Sequence, residues 1–227
     1  MRNKTIKRML TAVLAGTMIV GSALTVSAST TQTSGGTCQA TEDAEEVVSG
    51  SGSTSTITVA ARAAYTKSSV VINGAAVKST IGGVFIAPNV NGVAVTTPLA
   101  DVNAAFGITA GQKATIMVLE ANTKNSPMAC ATADAAAAGL NGTVVAVLNV
   151  EFGVKENGRY TDLADNGATA TMAVGLPTGA DTNAQYKVLC IKTGGAVTVL
   201  NDVDADPATV SFNFGGGKAA YALVKIN

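Results

Sequence analysis

Asp202, Asp204 and Asp206 alternate along the stretch "NDVDADPA". Carboxylates at the first, third and fifth positions open the calcium loop of an EF-hand. The pattern then breaks. Pro207 stands where that loop needs glycine for its sharp turn, and Asn213 stands where it needs a bidentate glutamate. Calcium is the only cofactor the sequence suggests, with these three aspartates as its ligands. A solvated acidic turn accounts for the same residues without any metal.

Other chemistries lack their residues. The chain has no histidine, the commonest general acid or base and the commonest transition-metal ligand. Ser-His-Asp and Cys-His nucleophile systems are therefore excluded. No serine is followed three residues later by lysine, and no Gly-x-Ser-x-Gly elbow occurs. Gly215-Gly216-Gly217-Lys218 lacks the spacing of a phosphate loop and is followed by alanine, so it reads as a hairpin connection. Glu120, Glu151 and Glu156 could supply a carboxylate pair, but nothing in the sequence sets two of them across a cleft. There is no tryptophan on which a sugar would stack. No enzymatic activity and no catalytic residue is expected.

The elements that position these residues begin with a leader. Arg2, Lys4, Lys7 and Arg8 precede an uncharged, mostly apolar run from Met9 to Val26, and Val26-Ser27-Ala28 ends it with small residues. That layout is a secretory signal peptide over 1–28, cleaved after Ala28. The chain carries 15 basic and 15 acidic residues, and the leader holds four of the basic ones and no acid. Cleavage would leave four acids in excess, a poor surface for nucleic acid or anionic membrane. No later segment is apolar and long enough to span a bilayer, so none is expected in the mature chain.

Residues 29–56 are rich in Ser, Thr and Gly with one acidic cluster. Such a composition predicts a flexible tether. Cys38, Cys130 and Cys190 cannot close a disulfide set within one chain. Cys190, in "YKVLCIK", reads as a small buried hydrophobe. Cys38, in the tether, offers a thiol through which two chains could form a dimer.

From Ile57 the character changes to short Val-, Ile- and Thr-rich runs punctuated by Asn-Gly pairs, which mark tight turns. "SVVINGAAVKS" reads as a hairpin. "KATIMVLEA", "GTVVAVLNVEFGVK", "GATATMAVGL", "YKVLCIK", "AVTVLND", "ATVSFNF" and "AAYALVK" read as strands. "TTPLADVNAAFG" predicts a short helix with Thr97 as N-cap, Pro98 at the first helical position and Gly107 past its end. "CATADAAAAGLNG" predicts a second, capped by Thr132 and stopped at Gly139. Most aromatic residues fall in apolar runs and read as core, while Tyr160, in "ENGRYTD", reads as the one most exposed. The fold class is mainly β, an antiparallel sandwich-like arrangement with two short α-helices, and α+β in the N-terminal half. Residues 57–166 form a β-rich α+β stretch, and 167–227 a C-terminal β-sandwich module packed with it.

The order of elements in that last stretch carries a resemblance. "TMAVGLPTGA" runs into a proline. "YKVLCIK" turns at Gly194-Gly195. "VTVL", the acidic "NDVDADPA", "TVSFNF" and "YALVK" follow. This resembles the β-sandwich module that ends many secreted and surface-anchored proteins of Gram-positive, Clostridia-type gut bacteria, and residues 111–163 are similar to the segment that precedes it. The resemblance implies a structural or adhesive role without catalysis, and an extracellular or cell-wall partner. The alternative is an extracellular module that binds a glycan or peptide, assisted by calcium.

Leu176-Pro177-Thr178-Gly179 looks like a sortase sorting signal but is one residue short, since the variable position between proline and threonine is missing. Strand-like runs follow it rather than an apolar span and basic tail. Pro177 and Gly179 instead end a strand and open a loop. The expected location is outside the cell, free or held at its surface by something other than sortase.

Overall fold

The computed structural model describes residues 65–227. The expected leader at 1–28, its cleavage site after Ala28, the tether at 29–56 and Cys38 lie outside the described residues.

Twelve strands and two helices make up the described chain. Ser69–Ile72 (β1) and Ala75–Lys78 (β2) form an antiparallel hairpin. Its turn is Asn73-Gly74, with φ of 50° and 79°. Positive φ at both central positions matches the right-handed twist of the flanking strands, which is why Asn-Gly is favoured there. Asn157-Gly158 does the same, at 50° and 80°, between Gly142–Glu156 (β6) and Arg159–Asp162 (β7).

A seven-stranded sheet runs in the order β10-β9-β12-β6-β5-β3, with β7 also pairing β6. The added strands are Gly82–Ile86 (β3), Lys113–Glu120 (β5), Tyr186–Lys192 (β9), Val197–Asn201 (β10) and Gly217–Ile226 (β12). A three-stranded sheet holds Thr209–Phe214 (β11), Ala170–Gly175 (β8) and Val93–Val95 (β4), in that order. Residues 57–166 and 167–227 thus contribute strands to the same two sheets.

One face of each sheet shares a single core. Ile116, Val118, Leu148, Val150, Phe152, Val188 and Leu223 of the large sheet meet Val93, Met172, Val174, Val210, Phe212 and Phe214 of the small one. The fold is a mainly β sandwich with two helices. The outer face of the large sheet is covered by Pro127–Gly139 (α2), whose Cys130, Ala133 and Ala137 pack on Val147, Leu189, Ala222 and Val224. These positions recur at helical spacing, and alanine lets the helix lie close to the strands. The outer face of the small sheet is covered by the hairpin, with Val70 against Ala94 and Ala173.

β6 serves both faces. Leu148, Val150 and Phe152 point inward and Val147 outward, as strand alternation requires. Against β12 the register shifts between Leu223 and Val224, so Val144 also faces α2. That one-residue bulge keeps both ends of the strand in apolar contact.

Several elements differ from the sequence reading. Leu99–Phe106 (α1) has Pro98 as its N-cap residue, and no side chain caps it. Thr97 does not cap the helix because its hydroxyl oxygen accepts a hydrogen bond from the Thr171 amide at 2.7 Å. α2 begins at Pro127, with Ser126 as N-cap residue, five residues before Thr132. Asn122 and Asn125 fold the preceding chain into side-chain turns, and proline at the first helical position then starts the helix. Thr132 lies inside it. β3 and β5 pair parallel, because β4 and α1 lie between them and supply the crossover that parallel strands need. β3, β4 and β7 carry no alternating apolar signal: one opens on two glycines, one has three residues and one begins and ends on a charged residue.

Phe152 is fully buried, with edge-to-face contacts to Phe106 at 4.9 Å and Phe214 at 5.4 Å. It therefore joins α1, the large sheet and the small sheet. Phe152→Ala should lower the unfolding free energy by about 3–5 kcal/mol in urea titration at an unchanged m-value. A loss below about 1 kcal/mol would show that this cluster is not central to the core.

Candidate functional site

The three alternating aspartates sit in the loop from β10 to β11, and each carboxylate takes a local donor. Asp202 accepts from the Ser211 amide at 2.9 Å and the Asp204 amide at 3.2 Å. Asp204 accepts from the Asp206 amide at 2.9 Å and the Thr209 hydroxyl at 3.0 Å. Asp206, almost fully buried, accepts from the Ala208 amide at 2.8 Å and, through its other oxygen, from the Asn73 amide in the β1–β2 turn. The Val203 amide also donates to the Ser211 carbonyl at 2.9 Å. The loop thus lies along the free edge of β11 and ties it to the hairpin. Burial pushes the Asp202 carboxyl above its usual range, with the amide donors of Ser211 and Asp204 working against that rise. Among the described residues no group of three or more His, Cys, Asp or Glu side chains is arranged to hold a metal ion.

The glycine run before β12 meets a close-packed neighbour. A Cβ at Gly216 would come 2.5 Å from the Ala164 carbonyl oxygen, closer than real Cβ contacts allow. Lys218 points to Glu151 at 3.2 Å and to Asp162 at 3.6 Å. These carboxylates hold its ammonium above its ordinary pKa. Lys192 pairs with Asp165, which pulls that carboxyl down.

The candidate acids do not converge. Glu120 accepts from the backbone and side-chain nitrogens of Asn89. Glu156 accepts from Gln112 at 3.4 Å. Glu151 lies on the outer face of the large sheet, whereas Glu120 takes the alternate strand parity, that of the inward Ile116 and Val118.

Cys190 lies in the inner core and Cys130 under α2, so the large sheet separates them. Burial raises the Cys190 thiol above its usual pKa, which suits an inert core cysteine. Tyr160 is not the most exposed aromatic. Its ring covers Gly153, where a Cβ would meet the Tyr160 hydroxyl oxygen at 2.8 Å, and that oxygen is buried. Burial, then Asp162, pushes the phenol pKa far up. The exposed aromatic is Tyr65, at 73%.

One concavity was not legible in the sequence. An open groove of 520 Å³ runs between the first turns of α2 and the outer face of the large sheet, walled by Met128 and Thr132 and floored by Asn149, Glu151, Ile191 and Lys218. The Asn149 side-chain amide donates to the Ser126 hydroxyl at 2.6 Å and pins the helix start to β6. Met128 is 74% exposed, out of phase with the buried alanine face. The groove exists because α2 starts at Pro127 and covers only one end of the sheet, a boundary that the alanine run conceals. Among the described residues no helix is long and apolar enough to cross a membrane.

Leu176-Pro177-Thr178-Gly179 follows β8 directly. Leu176 is buried and its amide donates to the Ala208 carbonyl at 2.9 Å, while its own carbonyl accepts from the Asn91 side chain at 2.8 Å. The tetrapeptide is stitched into the sandwich as a strand end and turn.

No known protein family, curated protein or solved structure matches this chain.

Asp206→Ala would leave the Asn73 and Ala208 amides without their acceptor, at a cost of about 2–4 kcal/mol, whereas Asp206→Asn keeps one acceptor and should lose about half of that. Chemical denaturation measures both. Equal losses would show that volume, not hydrogen bonding, matters there. Because these oxygens already hold amide protons, millimolar calcium should leave the melting temperature unchanged; a rise abolished by Asp204→Asn would assign the loop to the metal.

Proposed function

We propose that this chain is an exported, non-enzymatic structural or adhesive protein of a Gram-positive bacterium, acting outside the cell on an extracellular or cell-wall partner. The observation that carries this reading is the use of its polar side chains as ties. Asp202, Asp204 and Asp206 hold one sheet edge and the hairpin. Lys218 and Lys192 hold strands to neighbouring segments. Groups so engaged add cohesion and specificity rather than reactivity. The leader at 1–28 supports export, and the order of the C-terminal elements supports the likeness to surface-protein modules. No cofactor is part of this proposal, and neither nucleic acid nor membrane lipid is a proposed partner.

A second reading, an extracellular glycan- or peptide-binding module, is favoured by the groove beside Met128, which offers an apolar wall and a charged floor. Concave sites with a few placed polar groups are where such ligands bind.

Fractionation of producing cells tests the first reading. The protein should appear in the medium or in a mild-salt wash of the envelope, with a mass that begins at Ser29 and without covalent attachment to peptidoglycan. A cytosolic protein retaining Met1 would overturn it. Soluble glycans or peptides that protect Met128 from oxidation would move the assignment to the second reading.

A further inference from the structure

The edges of the sandwich are unequal. β11 is bordered by the aspartate loop. β4 is bordered by Lys67 and Thr80, whose backbone groups bond Val93 and Val95. β3 is tied at one end by Thr66, which bonds Phe85 and Ala87. β7 carries Arg159 and Asp162. β10 has one tie, at its end, where the Lys187 ammonium of β9 donates to the Asn201 side chain at 2.8 Å, and no described backbone group bonds its outward side. It ends the large sheet, and no described strand pairs with its far side. Its residues, Val-Thr-Val-Leu-Asn, include no charge and no proline. Val197 and Val199 are 38% and 45% exposed. An edge strand with no charge or proline of its own and exposed apolar side chains is a template for another strand.

The register says which backbone groups are available. Lys192 donates to the Ala196 carbonyl, and Val197, Val199 and Asn201 lie opposite Ile191, Leu189 and Lys187 of β9. Alternation then turns the backbone groups of Thr198 and Leu200 toward β9 and those of Val197, Val199 and Asn201 outward.

We propose that β10 pairs antiparallel with β10 of a second copy about a two-fold axis at Val199, joining two large sheets into one. The strand is self-complementary. Val199 meets its own counterpart, and Val197 meets Asn201 of the other copy, so no like charges oppose one another. The three outward residues of each copy would form about six inter-chain backbone hydrogen bonds. The exposed valines of both copies become one apolar strip beside Leu189 and Ile191, which are already covered by α2. A basic peptide would lack this match, because the Lys187 ammonium stands beside β10 and donates to the Asn201 side chain at 2.8 Å. The pairing deepens the structural reading above and rests on it for its role, yet it is a property of the purified chain.

The test is light scattering coupled to size exclusion on the mature chain, residues 29–227, under reducing conditions so that Cys38 cannot link copies. Twice the monomer mass is expected, falling twofold in Val199→Lys, which sets two ammonium groups together at the axis, and in Val199→Pro, which removes an outward donor. Both variants should keep the circular dichroism of the parent. Amide exchange at Val197, Val199 and Asn201 should be about tenfold or more faster in Val199→Lys than in the parent. A parent that stays monomeric at every concentration, or a variant that stays dimeric with unchanged exchange, would overturn the proposal. A monomeric parent whose β10 amides are instead protected by an added extended peptide would overturn it in favour of a foreign strand. None of these outcomes bears on where the protein is found, so the pairing and the exported role can fail separately.

Discussion

The large sheet is apolar on both faces, and the rest of the fold answers that constraint. β6, β9 and β12 alternate residues that are buried on one side and on the other. A sheet of this kind cannot leave either face in water, so each needs its own cover. The three-stranded sheet covers one face with bulky side chains such as Met172, Phe212 and Phe214. The helix α2 covers the other with alanine and one cysteine. The difference in side-chain size follows from the geometry. Two sheets pack about 10 Å apart and need volume between them. A helix seated on strands already made of Ala220, Ala222 and Val224 gains more from close approach than from bulk.

Polar groups are placed where this layered arrangement would otherwise leave backbone unsatisfied. The β11 edge cannot pair with another strand of its sheet, and its Ser211 amide finds the Asp202 carboxylate instead. The Asn73 amide of the tight Asn73-Gly74 turn donates to Asp206, 133 residues away in sequence. Hydrogen bonds to a carboxylate are stronger than those between neutral partners. One loop can therefore hold a sheet edge and a distant hairpin together. The same alternation of acids that looks like a metal loop in the sequence is also what a chain needs to cap successive amides along an edge.

The strands with clear alternation were legible: β6, β8, β9, β11 and β12 are read directly from their apolar runs, and the hairpin from its Asn-Gly pair. Cys190 was legible as a core residue for the same reason. β3 was not, because Gly82 and Gly83 erase the side-chain pattern. A Cβ at Gly83 would strike the Ile116 carbonyl oxygen at 1.8 Å, so the glycine answers a contact 33 residues away. The start of α2 was not legible because alanine has high helix propensity everywhere in the run and points to no boundary. The groove depends on that boundary, so it could not be read either. Tyr160 misled because its neighbours are polar and turn-forming, whereas its ring is held by the bare backbone of Gly153 across the β6–β7 ladder.

Charge placement completes the physical picture. Only 13% of the residues are charged, so ion pairs cannot blanket the surface, and where they stand is informative. Lys218 with Glu151 and Asp162, and Lys192 with Asp165, sit where β12, β7 and the chain beyond β7 converge. Exposed pairs of this kind contribute little stability individually. Their effect is on specificity, because a strand shifted by one residue would turn its lysine away from its acids. Charge therefore guards register at the end of the large sheet that α2 leaves uncovered, while β10, at its margin, is left neutral. An edge strand without charge departs from the usual defence against association. In a chain that blunts its β11, β4 and β7 edges with backbone or side-chain groups, that departure reads as a feature of the surface rather than as a gap in its protection.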